Sequence, residues 1–184
     1  GLPYTIYNYQ QVSSIRSGDH SWDRKISDRA PYDINLFHIT PYEVPLAFTT
    51  LTPKFWDGRY NIAFWLWELE EIPEEWRDSL RCFQEVWTPA EFVSDSIRLA
   101  TDKPVHTIPY YLQAAADSTI RRERFGLPEG IFLFLTMYDC TSIMERKNPM
   151  GAVRAFKEAF PPQEKGVGLV IKLNNPSEKD LRVL

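Results

Sequence analysis

The sequence is poor in the features that mark the commonest special classes of protein. It holds only two cysteines, Cys82 and Cys140, with no C-x-x-C spacing. That is too few for a disulfide scaffold and points to a reducing compartment. The three histidines, His20, His38 and His106, are scattered, and with two distant cysteines they give no expectation of a metal centre. Long apolar runs are missing too. Ile62–Trp67 and Ile131–Met137 are among the longest, far short of the ~20 residues that cross a bilayer. Gly1-Leu2-Pro3-Tyr4 has no basic or apolar region of a signal peptide and no initiator Met, so the true start is expected upstream. There is no 20–50-residue repeat, which argues against a solenoid. Neither G-x-x-x-x-G-K-[ST] nor G-x-G-x-x-G occurs, which argues against a P-loop NTPase or a simple dinucleotide enzyme. Positive charge is not in excess: 21 Lys and Arg face 25 Asp and Glu, for a net −4. A nucleic-acid binder working by electrostatics needs a basic face, so nucleic acid is not an expected partner.

What is present supports a real core. The 184 residues are 43% apolar and 14% aromatic, enough for one large domain or two small ones where a typical domain has about 150 residues. The halves differ chemically. All six Trp lie within the first 87 residues, and Leu66–Phe92 holds eight acids against two bases, while the remainder holds 17 acids against 19 bases.

Periodicity predicts an alternating chain. Residues 1–31 read as loop, with a short strand at Tyr4–Tyr9. Asp33–Ile39 reads as a buried strand, Tyr42–Thr50 as one or two helical turns, and Tyr60–Trp67 as a second strand. Pro73 opens a helix with Trp76, Leu80 and Phe83 on one face. Glu85–Thr88 is a strand, and Pro89–Ala100 a helix with Phe92, Val93, Ser96, Ile97 and Leu99 inward. Pro104–Pro109 closes the set. Strands alternating with helices predict a parallel sheet with crossovers. In this reading His106, inside a strand, is a core histidine and His20 lies in a polar loop.

Residues 113–119, with Ala114-Ala115-Ala116-Asp117-Ser118, read as a link between domains. A helical turn at Ile120–Phe125 stops at Gly126. Ile131–Tyr138 is apolar throughout, as in a strand buried on both faces. A loop, Asp139–Lys147, leads to Pro149 at the first position of a helix with Ala152, Val153, Phe156 and Phe160 on one side. Val167–Lys172 is a further strand, and Ser177 caps a last helix. Open α/β sheets bind ligands at the carboxyl ends of their strands. The loop there carries Ser142, Arg146 and Lys147 and ends at a helix N-terminus, while Lys172 closes the next strand. Together they make a candidate anion site. The alternative is an ordinary helix cap among solvated bases.

The string Asp139-x-x-Ser142-x-x-x-Arg146-Lys147-Asn148-Pro149, with Ala155-Phe156-Lys157-x-Ala159-Phe160 and Leu169-Val170-Ile171-Lys172, resembles the donor-domain opening of the family 4 (group 1) glycosyltransferases. Upstream, Trp65-x-Trp67-Glu68-Leu69, Pro73, Trp76, Glu85-Val86-Trp87-Thr88-Pro89-x-x-Phe92-Val93 and Val105-x-x-Ile108-Pro109 are similar to the acceptor-side domain of one branch of that family. The resemblance covers residues 33–175. It implies a GT-B-like α/β fold: parts of two Rossmann-like parallel-sheet domains facing a cleft. Residues 1–112 form the acceptor-side part, 113–119 the linker, and 120–184 the start of the donor domain. It implies retaining, metal-independent transfer of a sugar from a nucleotide-diphosphate sugar to a carbohydrate or lipid-linked acceptor. No cofactor is expected. The setting would be cytoplasmic, with membrane association possible only through other parts of the protein.

Carried over by position, Lys147 resembles the family lysine that contacts the donor diphosphate, with Arg146, Ser142 and Lys172 beside it. The family arginine, in a Gly-Arg pair just after the strand, is replaced by Tyr138-Asp139-Cys140, which leaves the second cation open. Trp65 and Trp67 are candidates for sugar or acceptor contact, or for core packing. Alternation in a strand would set both on one face. No residue is assigned the catalytic step; Glu68 and His38 are weak candidates, and the favoured alternative for His38 is a structural histidine. The family's E-x7-E element, expected beyond Lys172, and its Gly-rich N-terminal unit do not occur in these residues. The chain therefore reads as a central fragment with little or no transfer activity alone. Two other readings stand beside it: a non-catalytic carbohydrate- or nucleotide-binding module, and a structural α/β interaction domain.

Overall fold

Four short segments rich in β-branched and aromatic residues pair side by side in one parallel sheet. They are β1 (Ile34–Phe37), β2 (Tyr60–Phe64), β3 (Glu85–Thr88) and β4 (Val105–Thr107), in that order across the sheet. The computed structural model describes residues 2–9, 19–29, 31–113 and 117–183. Parallel neighbours need crossovers, and each has one. A 3-10 turn (Pro41–Glu43) and α1 (Val44–Thr50) join β1 to β2. A 3-10 run (Glu74–Cys82) joins β2 to β3, and α2 (Glu91–Arg98) joins β3 to β4.

Strand alternation sorts the sheet's side chains. Phe37, Ala63, Trp65, Val86 and Val105 meet Val44, Ala47, Leu80, Phe83, Val93 and Ile97 in the core. Phe37 stacks on Trp56 at 4.3 Å, and Phe83 is completely buried. Each such side chain contributes about 1.5–3 kcal/mol by leaving water.

The opposite face departs from the expectation of a buried first strand. Ile34 and Leu36 remain 62% and 51% exposed, because the crossover helices pack on the other side and β1 is an edge. His106 also lies on this open face, exposed, with Nε2 3.6 Å from Glu85 Oε2. It is not a core histidine.

Two helices and one strand differ in detail from expectation. The segment after Pro73 is 3-10 rather than α, so Ser79 and Leu80 take the buried positions, Trp76 is half-buried, and Phe83 is the buried C-cap. In α2 the buried residues are Val93, Ser94, Ser96 and Ile97, while Phe92 and Leu99 are exposed. Ser94 pairs with Thr88 and Thr107 at 2.6 Å each. That pairing turns the serine side of the helix inward and Phe92 outward. β2 stops at Phe64, so Trp65–Glu68 is loop rather than strand. Among the described part of residues 1–31 there is a parallel bridge between Ile6 and Ile26 and a 3-10 turn, Asp23–Lys25. The rest of that stretch lies outside the described residues. His20, in this loop, pairs with Asp23 at 3.0 Å.

The chain divides into two compact units, Gly1–Gln113 and Ala114–Leu184. Of the expected linker, 114–116 lie outside the described residues. In the second unit a 3-10 turn (Arg122–Phe125) ends at Gly126, whose φ of 64° is left-handed. β5 (Phe132–Asp139) and β6 (Val167–Asn174) pair in parallel over their full lengths. Between them lie α3 (Met144–Lys147) and α4 (Pro149–Ala159), and α5 (Glu178–Val183) follows. The expected loop thus contains a helical turn. Phe134 packs on Phe156 and Phe160 at 5.9 and 5.4 Å. Phe132, Leu135 and Met137 stay exposed, so β5 is not buried on both faces. Its sheet has two strands, with the α4 phenylalanines on one side. Ser177 closes the start of α5: its backbone N–H donates to Asp180 Oδ2 at 2.7 Å, and its Oγ accepts from the Asp180 backbone N–H at 3.3 Å.

The result is mixed α/β structure built on parallel sheets. No helix among the described residues is long and apolar enough to cross a membrane.

Candidate functional site

In the second unit the chemistry gathers where β5 and β6 end. Asp139 Oδ1 accepts hydrogen bonds from the Thr141 backbone N–H (2.9 Å) and hydroxyl (2.6 Å), and Oδ2 accepts from Asn175 Nδ2 (2.9 Å). The Thr141 hydroxyl, then its N–H, then Asn175 hold the Asp139 carboxyl below the usual carboxylate range. A fixed negative charge therefore stands at the carboxyl end of β5. Next to it, burial and then the charge of Asp180 push the Cys140 thiol up. The thiolate is the reactive form, so this environment argues against Cys140 as a nucleophile.

The turn that follows carries three of the expected anion-binding residues. The Ser142 N–H donates to Asp139 O at 3.0 Å, and Arg146 Nη2 donates to Ser142 Oγ at 3.1 Å. Ser142 lies in the bend two residues before α3, and that bend brings its hydroxyl to the Arg146 guanidinium. Lys147, exposed, is the last residue of that turn. Asn148 then takes the left-handed conformation (φ 46°), and its Oδ1 accepts from Gly151 N–H at 3.1 Å. It caps α4 behind a buried Pro149. One N–H of the α4 start is thereby already occupied.

Lys172 departs from expectation. It lies opposite Met137, two residues inside β6 rather than at its end. Its Nζ donates to Asn174 Oδ1 at 3.0 Å. The structure thus brings together Ser142 and Arg146, with Lys147 adjoining, and directs Lys172 to its own strand. Asp139, Thr141 and Asn175 form a second cluster that residue spacing did not show, because Asp139 and Asn175 meet only through strand pairing.

The first unit presents a different edge. Trp65 is completely buried, edge-on to Phe83 at 5.8 Å, and its backbone N–H donates to Trp87 O at 2.9 Å. It is core, not a sugar contact. Trp67 stands edge-on to Trp76 at 4.5 Å and its Nε1 donates to Glu71 O at 2.8 Å. Its ring pins the loop. Glu68 is exposed in the same loop. His38, just past β1, is exposed and stacks on Phe64 at 4.8 Å with 9° between planes. Tyr110, past β4, places its hydroxyl 3.5 Å from His38 Nε2. Tyr110 was missed in the sequence. Its only signal was a place just after Ile108-Pro109, at the carboxyl end of a strand.

A polar chain also fastens α2 to the sheet. The hydroxyls of Thr88, Ser94 and Thr107 follow one another at 2.6 Å, and Thr107 donates to Glu91. Arg98 Nη1 donates to Glu91 at 2.5 Å and to Asp95 at 2.8 Å. Thr107 first, then Arg98, hold the Glu91 carboxyl low.

Among the described residues no three His, Cys, Asp or Glu side chains are grouped to hold a metal ion. Compared with known proteins, the chain matches no family model, and no curated protein matches it significantly.

Proposed function

We propose that this chain is part of a GT-B-type glycosyltransferase, of the hexosyltransferase kind, in which the second unit binds the diphosphate of a nucleotide-sugar donor. The observation that supports this reading is the turn Ser142–Lys147: a hydroxyl and two cations at the carboxyl end of a parallel strand, directly before the capped start of α4. Breaking a glycosidic bond to a nucleotide builds negative charge on the leaving diphosphate. Cations fixed beside it stabilise that charge without a metal. Lys147 and Arg146 take this role, with Ser142 orienting the guanidinium. The sugar then passes to a saccharide or lipid-linked acceptor, with retention, and no cofactor takes part.

One observation favours a second reading. The Asp139 carboxylate, held charged, opposes a diphosphate where the family places a cation. That suits a module that binds a nucleotide-sugar without transferring it.

Calorimetric titration with UDP and GDP tests both readings. Binding is expected, and Lys147→Ala is expected to weaken it about tenfold, or about 1.4 kcal/mol. Affinity unchanged in Lys147→Ala removes the diphosphate site.

A further inference from the structure

Three rings from three segments meet at the carboxyl edge of the first sheet. His38 follows β1, Phe64 ends β2 and Tyr110 follows β4. His38 lies nearly parallel to Phe64 at 4.8 Å, and Tyr110 lies tilted at 5.4 Å from Phe64 and 6.4 Å from His38. Phe64 is 7% exposed and forms the floor, whereas Tyr110 is 50% exposed and His38 is exposed. The Tyr110 hydroxyl stands 3.5 Å from His38 Nε2, the outer limit of a hydrogen bond. Among the described residues, His38 and Tyr110 have contacts to each other and to Phe64, and no charged side chain pairs with either.

We propose that His38 and Tyr110, seated on Phe64, form a platform for the ring of a neutral saccharide. The physical case has three parts. Exposed aromatic faces offer apolar area at small entropic cost, and Tyr adds a polar tip. A sugar ring presents a C–H face to such surfaces and hydroxyls at its edge, where the imidazole and the phenol can donate and accept. The position is also the one at which open α/β sheets bind ligands.

Charge decides between a sugar and a nucleotide. A nucleotide's phosphates need cations, and among the described residues no Lys or Arg pairs with His38 or Tyr110. The assignment deepens the glycosyl-transfer reading and rests on it for the choice of a saccharide. It moves the sugar contact from Trp65 and Trp67, which are used in packing, to His38 and Tyr110.

The test is an NMR titration of the 184-residue chain with maltose and, separately, with adenosine, following the His38 ring resonances. Maltose is expected to shift them at millimolar concentration. Tyr110→Ala is expected to weaken that response about tenfold. Tyr110→Phe, which keeps the ring and loses the hydroxyl, is expected to weaken it only a few-fold. An unmoved His38 resonance overturns the platform, and so does a maltose response undiminished in Tyr110→Ala. A response to adenosine alone makes it a base-stacking site and overturns the saccharide assignment. The UDP titration separates the two readings. Maltose response without UDP binding keeps the platform and removes the donor site. UDP binding without maltose response removes the platform only.

Discussion

Asn175 Nδ2 donates to Asp139 Oδ2 at 2.9 Å, tying the end of β6 to the end of β5 across 36 residues of sequence. Asn175 adopts a left-handed φ of 49° at this point, a conformation that Asn tolerates better than most residues. The contact fixes a carboxylate at the ligand edge of the second unit, and it sets the electrostatics of everything placed there.

Asp139→Asn tests that carboxylate. Its folded-state pKa lies below the unfolded value of about 3.9. The stability it contributes is therefore present above about pH 4 and is lost as pH falls through the lower folded-state value. Urea melts from neutral to acid pH are expected to show the wild-type chain ahead of Asp139→Asn at neutral pH, with the gap closing below pH 4. A gap independent of pH would mean that the charge is not involved. In the UDP titration, Asp139→Asn is expected to tighten binding, since it removes a like charge.

Trp65 and Trp67 separate by burial. Trp65→Ala is expected to destabilise the first unit by about 3–5 kcal/mol, the usual loss for a large core aromatic. Trp67→Ala, from a half-buried ring, is expected to lose less. Equilibrium urea denaturation checks both. A near-neutral Trp65→Ala would contradict its place in the core.

The serines of α2 make a paired comparison. Ser94→Ala leaves the buried Thr88 hydroxyl without its serine partner and breaks the link to Thr107. The expected loss is about 1–3 kcal/mol. Ser96 is as buried, yet its Oγ has no hydrogen-bond partner among the described residues. Ser96→Ala is expected to be neutral or stabilising, because no bond is lost and a buried polar atom is removed. Equal losses in the two variants would show that Ser96 is bonded too.

Strand β3, α1, the capped start of α4 and the alternation of helix with strand were all readable along the chain. Each rests on neighbours within about four residues, as with Asn148-Pro149 at a helix start and Ser177 as a cap. Ser142, Arg146 and Lys147 were legible as members of one short segment after β5, but the contact of Ser142 with Arg146 was not. What misled was burial. Ile131–Tyr138 carries the composition of a strand covered on both faces, yet its sheet has one partner strand, and composition does not count partners. Phe92 and Leu99 carry helical periodicity as well as Val93 and Ile97 do. Only the hydroxyl contacts of Ser94 decided which side turned inward.

The sequence by itself determined most of the elements, their parallel alternation and the place of Ser142, Arg146 and Lys147 on one segment between a strand and a helix, since those follow from short-range sterics, caps and hydrophobic period. Tertiary structure alone decided that Trp65 packs in the core, that Lys172 turns to Asn174, that Asp139 meets Asn175, and that His38 and Tyr110 share one edge 72 residues apart. Sheet register and packing set those distances, and no spacing along the chain encodes them.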